Sequence, residues 1–137
     1  MKSYLYHIQL NIDFKNIYFY KNLLIFLGWK TIEEGKDIAG FKSGTNGDIW
    51  LLPKTKGIAN NYDGNGMNHL ALRVDKQTDI DEIITYLQKN KITMLFDTPK
   101  HRPEFVSGKN KTYYQVMFES PDKILFEVVY LGNKLKP

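Results

Sequence analysis

Apolar and polar positions alternate most regularly in two stretches of the chain. In Gly66–Val74, Leu70, Leu72 and Val74 alternate with His69, Ala71 and Arg73, the period of two expected of a half-buried strand. In Tyr6–Ile12, Tyr6, Ile8, Leu10 and Ile12 alternate with His7, Gln9 and Asn11. His7-Ile8-Gln9-Leu10 matches His69-Leu70-Ala71-Leu72 position by position, 62 residues apart. A repeat of that kind implies two copies of one structural unit.

The patterns between these strands predict the rest of each unit. Asp13 is placed to cap a helix over Phe14–Leu27 that closes at Gly28. Ile17, Tyr20, Leu24 and Leu27 give it an apolar stripe, which Phe19, Leu23 and Phe26 widen. So broad a stripe predicts cover on more than one side, by deep burial or at an interface. Short strands are expected at Trp29–Glu33, Ile38–Lys42 and Asp48–Leu52, with turns at 34–37 and 44–47. The glycine- and asparagine-rich run Lys54–Gly66 reads as a mobile connector. In the second copy, Thr78-Asp79-Ile80-Asp81 resembles a capping box, and Ile80, Ile83, Ile84 and Leu87 form one helical face ending near Asn90. Strands are expected at Thr93–Phe96, Tyr113–Glu119 and Ile124–Leu131, and Thr98–Thr112 reads as a long insertion, a candidate lid. The predicted class is α+β, two βαβββ modules at 1–57 and 67–137 joined by a connector at 58–66 and forming one structural domain.

Bulk properties narrow the function without naming it. At 137 residues and 42% apolar, the chain can build a real core. No apolar run approaches the ~20 residues of a membrane span, and no signal-peptide pattern opens the sequence, so a cytoplasmic location without membrane contact is expected. With no cysteine, a metal would have to be held by histidine, carboxylate or water. The net charge of +4 comes from scattered lysines with no nucleic-acid recognition signature, so no nucleic-acid partner is expected.

Two positions invite chemistry. His69 in mid-strand beside the small Ala71 reads either as a cavity wall or as a satisfied core or surface histidine. Glu127 interrupts the apolar run Phe126–Tyr130. It is either a surface glutamate on an edge strand or a buried carboxylate that needs a partner or a metal. A three-residue turn within Ser120–Ile124 would pair Met117 with Glu127 and put Tyr113, Gln115, Met117 and Glu127 on one face. His7, His69 and Glu127 together would suit a divalent ion with open positions.

On these residues the chain resembles the vicinal oxygen chelate superfamily: glyoxalase I, fosfomycin-resistance proteins, extradiol dioxygenases and bleomycin-resistance proteins. His7 and His69 match its first-strand histidines. Glu127 matches its last-strand glutamate, beyond Ser120-Pro121-Asp122-Lys123, where the family usually shows Asp-Pro-Asp-Gly. The resemblance implies two βαβββ modules forming a cupped sheet around one Fe, Mn, Ni or Zn ion, with His7, His69 and Glu127 as ligands. It implies a glyoxalase-like lyase, isomerase or transferase acting on a small oxygenated substrate, with Gln9, Trp50, Arg73, Tyr113 and Gln115 as substrate-binding candidates. The alternatives are an Fe(II) ring-cleaving dioxygenase or a non-catalytic binder of small molecules such as antibiotics. Trp50 stands where glyoxalase I carries a further glutamate ligand, which argues against a literal lactoylglutathione lyase. A homodimer is expected, from the broadly apolar first helix and the flexible connector.

Overall fold

The computed structural model describes residues 1–135, and the last two residues of the expected second module, Lys136 and Pro137, lie outside it. The chain divides into two compact units, Met1–Ala59 and Asn60–Pro137. Each is built as strand, helix, three strands.

In the first unit, β1 (His7–Ile12), β2 (Lys30–Gly35), β3 (Ile38–Ser43) and β4 (Asn46–Pro53) form a sheet in the order β1-β4-β3-β2. β1 runs parallel to β4, and the other pairs are antiparallel. Asp13 opens the helical segment as the alternation predicts, its carboxylate accepting from the Lys15 amide. A hydrogen bond from the Lys54 ammonium, 3.2 Å away, holds that carboxyl below the usual range. The helix is shorter than the pattern implied. A 3-10 turn at Phe14–Asn16 leads into α1 (Ile17–Phe26), and Gly28 follows at φ +85°, a backbone that favours glycine after a helix end. α1 buries Tyr20, Leu23 and Leu24 and leaves Tyr18, Ile25 and Phe26 exposed. One face of α1 is therefore buried, and the wider stripe that the pattern implied is left uncovered at Phe26.

The second unit repeats the topology with β5 (His69–Val74), β6 (Met94–His101), β7 (Lys111–Glu119) and β8 (Leu125–Asn133) in the order β5-β8-β7-β6. α2 (Gln77–Lys89) packs Ile80, Ile83 and Leu87, all at 0% exposure, into the core with Leu70, Leu72, Val116, Phe118, Phe126 and Val128. Its cap lies two residues before the expected one. The Asp79 carboxylate accepts from the Lys76 amide at 2.9 Å, so Asp79 and not Asp81 closes the first turn. The short aspartate side chain reaches back to the N-cap amide only from the third helical position.

The segment expected as a long insertion is half strand. β6 continues through Thr98 to His101, interrupted by a wide bulge: Leu95 pairs with Met117, and the next pairing is Lys100 with Gln115. Phe96 and Asp97 take positive φ to turn the chain outward. The buried Thr98 hydroxyl fills the gap, accepting from the Met117 amide at 3.0 Å and donating to the Leu95 carbonyl at 2.7 Å. A side chain thus supplies the ladder bond that the bulge removes. What remains between β6 and β7 is a short loop with a 3-10 turn at Pro103–Phe105.

Candidate metal centre

Glu127 sits in mid-β8, opposite Ala71 of β5 and Met117 of β7. The turn that sets this register is the expected one. The Ser120 amide donates to the Ile124 carbonyl, and Lys123 takes the left-handed φ of +61°. Alternation along the strands then places Tyr113, Gln115, Met117, Glu127, Val129, His69, Ala71 and Arg73 on the sheet face away from the α2 core. Glu127 is only 2% exposed. Of the two readings of Glu127, burial with partners is the one that holds.

Its two oxygens are engaged separately. The Tyr113 hydroxyl donates to Oε1 at 2.6 Å, and His69 Nε2 lies 3.0 Å from Oε2. Burial, and then the bond to Glu127, push the Tyr113 hydroxyl well above its ordinary range, so this donor stays protonated. On the far side of the imidazole, His69 Nδ1 lies 2.8 Å from Asn68 Oδ1. The Asn68 amide cannot flip without loss, because its Nδ2 donates to the Tyr62 carbonyl at 2.8 Å. Asn68 therefore presents an acceptor, and His69 carries a proton on Nδ1. Nε2 and the carboxylate Oε2 then face one another as two lone pairs, a contact that requires either a second proton or a cation.

This pair fits a metal ion. Two ligand atoms bonded at about 2.1 Å and about 90° to one ion lie about 3.0 Å apart, and the other atom of each ligand is held by a neighbour, as bound histidine and carboxylate require. Among the described residues, no group of three or more His, Asp or Glu gathers into a complete site. Tyr113, a substrate-binding candidate from the sequence, donates its hydroxyl to Glu127. Asn68 was missed, and its only sequence signal is adjacency to His69.

The other predicted site residues belong to recognisable positions. Arg73 Nη2 reaches the Leu131 carbonyl at 3.4 Å. Gln115 is buried beside Met117. In the first unit, His7 opens β1 as His69 opens β5, with the Tyr6 ring edge-on at 5.4 Å. Gln9 pairs in register with Trp50, as Ala71 pairs with Glu127, so Trp50 holds in the first unit the place that Glu127 holds in the second. Gln9 Nε2 donates to Asn11 Oδ1. Trp50 lies across Gly40, where a Cβ would come within 2.8 Å of the indole. A separate cavity of about 260 Å³ lies between the α1 segment and β2–β3, and no histidine lines it. The Lys54–Gly66 connector is anchored in its second half: Asn60 donates to the Lys123 carbonyl, and Tyr62 to Glu119 at 2.6 Å.

Solved structures share this architecture. A candidate glyoxalase from Bacillus halodurans is 24% identical over 92% of this chain and 94% of its own, with a TM-score of 0.75. A glyoxalase/dioxygenase from Nostoc punctiforme (21% identity, 94% and 91% coverage, TM-score 0.70) and a lactoylglutathione lyase from Agrobacterium tumefaciens (19%, 94% and 94%, 0.64) align as fully. The chain has the glyoxalase-like fold. No protein-family model and no curated protein sequence matches it. At these identities the likeness establishes the fold, and activity has to be argued from the site. Among the described residues, no helix is long and apolar enough to cross a membrane.

Proposed function

We propose that this glyoxalase-like chain is a divalent-metal-dependent enzyme of the vicinal oxygen chelate type, acting on a small substrate that offers adjacent oxygens. The observation that carries the reading is the 3.0 Å approach of His69 Nε2 to Glu127 Oε2, with Asn68 and Tyr113 fixing the far atom of each. Fe, Mn, Ni or Zn would be held by His69 and Glu127. His7 is proposed as the third ligand because it occupies in β1 the position His69 occupies in β5.

An ion held there supplies Lewis acidity toward the substrate oxygens. The chain's own residues supply the setting. Glu127 contributes the anionic ligand, and Tyr113 keeps its carboxylate oriented by donating to the oxygen that does not face His69. Asn68 keeps the imidazole in the tautomer that leaves Nε2 free to bind. Trp50, which cannot coordinate, is proposed with Gln9 as an apolar and polar wall rather than as a source of a further ligand. The proton-transfer role of a second carboxylate is accordingly not assigned, and the site is read as glyoxalase-like without being a literal lactoylglutathione lyase.

The chain loaded with Ni(II), Mn(II) or Zn(II) and offered a thiol hemiacetal of a 2-oxoaldehyde is expected to form thioester, observed by ultraviolet absorbance. His69→Ala should abolish the reaction. Oxygen uptake with catechol by the Fe(II)-loaded chain alone would instead make it a ring-cleaving dioxygenase. Ligand binding indifferent to metal would mark a non-catalytic binder and contradict the reading.

A further inference from the structure

The sheet face that carries His69 and Glu127 also carries a row of cations along one end, and the metal chemistry does not use them. The chain has only two arginines, Arg73 and Arg102, and both belong to this face. Arg73 follows His69 and Ala71 in the alternation of β5. Its guanidinium reaches the Leu131 carbonyl, and Leu131 is the register partner of Tyr113. On the other side of β7, the Arg102 amide donates to the Tyr113 carbonyl at 2.7 Å. Arg73 itself pairs in register with Val129, in the row of Gln115 and Lys100, and Arg102 lies at the next row, that of Leu131 and Tyr113, on the opposite edge of the sheet.

The facing of Arg102 follows from its neighbour. The His101 ring stacks on Tyr114 at 4.2 Å and bonds the buried Thr112 hydroxyl, so it lies on the α2 side. Alternation sends Lys100 and Arg102 to the Tyr113 side, where Lys100 pairs in register with Gln115. Phe105 closes on the same place, its ring edge-on to Tyr113 at 5.4 Å.

Lys100 meets the Asp97 carboxylate at 3.4 Å, but the two arginines are incompletely answered. Arg102 Nε is buried with no acceptor, and its nearest carboxylate, the exposed Glu104, meets only Nη1 at 3.5 Å. Arg73 has a single long bond to a carbonyl. On the same face Glu127 is engaged by Tyr113 and His69, and Glu119 by Tyr62 and Lys123. A buried guanidinium N–H without an acceptor is a seat for an oxyanion, since the planar fork favours two-point contact with such a group.

We propose that Arg102 recognises an anionic oxygen group, of the carboxylate class, on the substrate of the His69–Glu127 centre. This deepens the metal-enzyme reading and rests on it. The substrate would chelate through adjacent oxygens at one end and carry its negative charge at the other.

Catechol and 3,4-dihydroxybenzoate share the chelating pair and differ in the carboxylate. With the Zn(II)-loaded full chain, calorimetry is expected to give at least about tenfold tighter binding of 3,4-dihydroxybenzoate. Arg102→Gln should erase that preference while leaving catechol and Zn(II) affinities unchanged, and Arg102→Lys should keep part of it. In the ¹⁵N-labelled chain, the Nε–Hε resonance that disappears in Arg102→Lys should shift with 3,4-dihydroxybenzoate and stay put with catechol. An equal preference in wild type and Arg102→Gln, or no preference in wild type, overturns the proposal. Failure to take up Zn(II) would instead sink the metal reading, and titration with benzoate would then decide for Arg102. A saturating shift of its Nε–Hε sustains the anion seat, and an unmoved resonance removes it.

Discussion

Tyr113 orients the proposed metal centre without being one of its proposed ligands. Its hydroxyl, kept protonated by burial and by the carboxylate beside it, holds Glu127 Oε1 and leaves Oε2 toward His69. Tyr113→Phe deletes one hydrogen bond and almost no volume. It is expected to weaken divalent-metal affinity by about 10- to 100-fold, the usual cost of losing such a partner, with the unfolding midpoint nearly unchanged. His101 is the contrasting residue, on the other face of the sheet. Burial first, and then the Lys134 charge, lower its pKa, against an opposing pull from Asp81. A group whose folded pKa is depressed contributes stability that is fully present above its unfolded value, about 6.5. That contribution is lost as the pH falls below this value and through the folded one. His101→Asn should cost about 0.5–1.5 kcal/mol at pH 7.5 through the lost stacking on Tyr114. It should then lose less further stability than wild type between pH 7.5 and 5.5, measured by urea denaturation at each pH.

At the scale of elements, alternation and turn chemistry were legible and local exceptions were not. Glu127 could be set opposite Met117 from the sequence because Ser120–Lys123 admits few registers, and Lys123 accepts the left-handed backbone where a glycine would be easier. β6 was not legible past Phe96. Proline and two positive-φ residues signal a loop, and only the Thr98 hydroxyl, bonded to a residue 19 positions away, returns the chain to the ladder. No local pattern encodes that contact. The α2 cap is a smaller case of the same kind. Thr78 and Asp81 have the spacing of a capping box, but Asp79 makes the bond, and the Asp81 charge, after burial, raises the Tyr114 hydroxyl above its ordinary range. Asp79→Ala should therefore destabilise the chain by about 0.5–2 kcal/mol, and Thr78→Ala by clearly less, in parallel chemical denaturation curves.

Across the whole molecule, one βαβββ plan occurs twice, with the same strand order and the same parallel pairing of first and last strands. The match of His7-Ile8-Gln9-Leu10 to His69-Leu70-Ala71-Leu72, 62 residues on, already carries this duplication in the sequence. Corresponding places on the last strands hold Glu127 in one unit and Trp50 in the other. That asymmetry could be read from spacing. The part of Asn68 could not, because an asparagine acceptor becomes visible only when its neighbours are placed. The most direct test is calorimetric titration of the chelator-treated chain with Mn(II) or Ni(II), beside Glu127→Gln, which removes the proposed anionic ligand at almost constant volume. Saturable binding of one ion per chain, weakened at least about tenfold in Glu127→Gln, is the predicted result. An affinity untouched by Glu127→Gln, or no uptake by the wild-type chain, would contradict it.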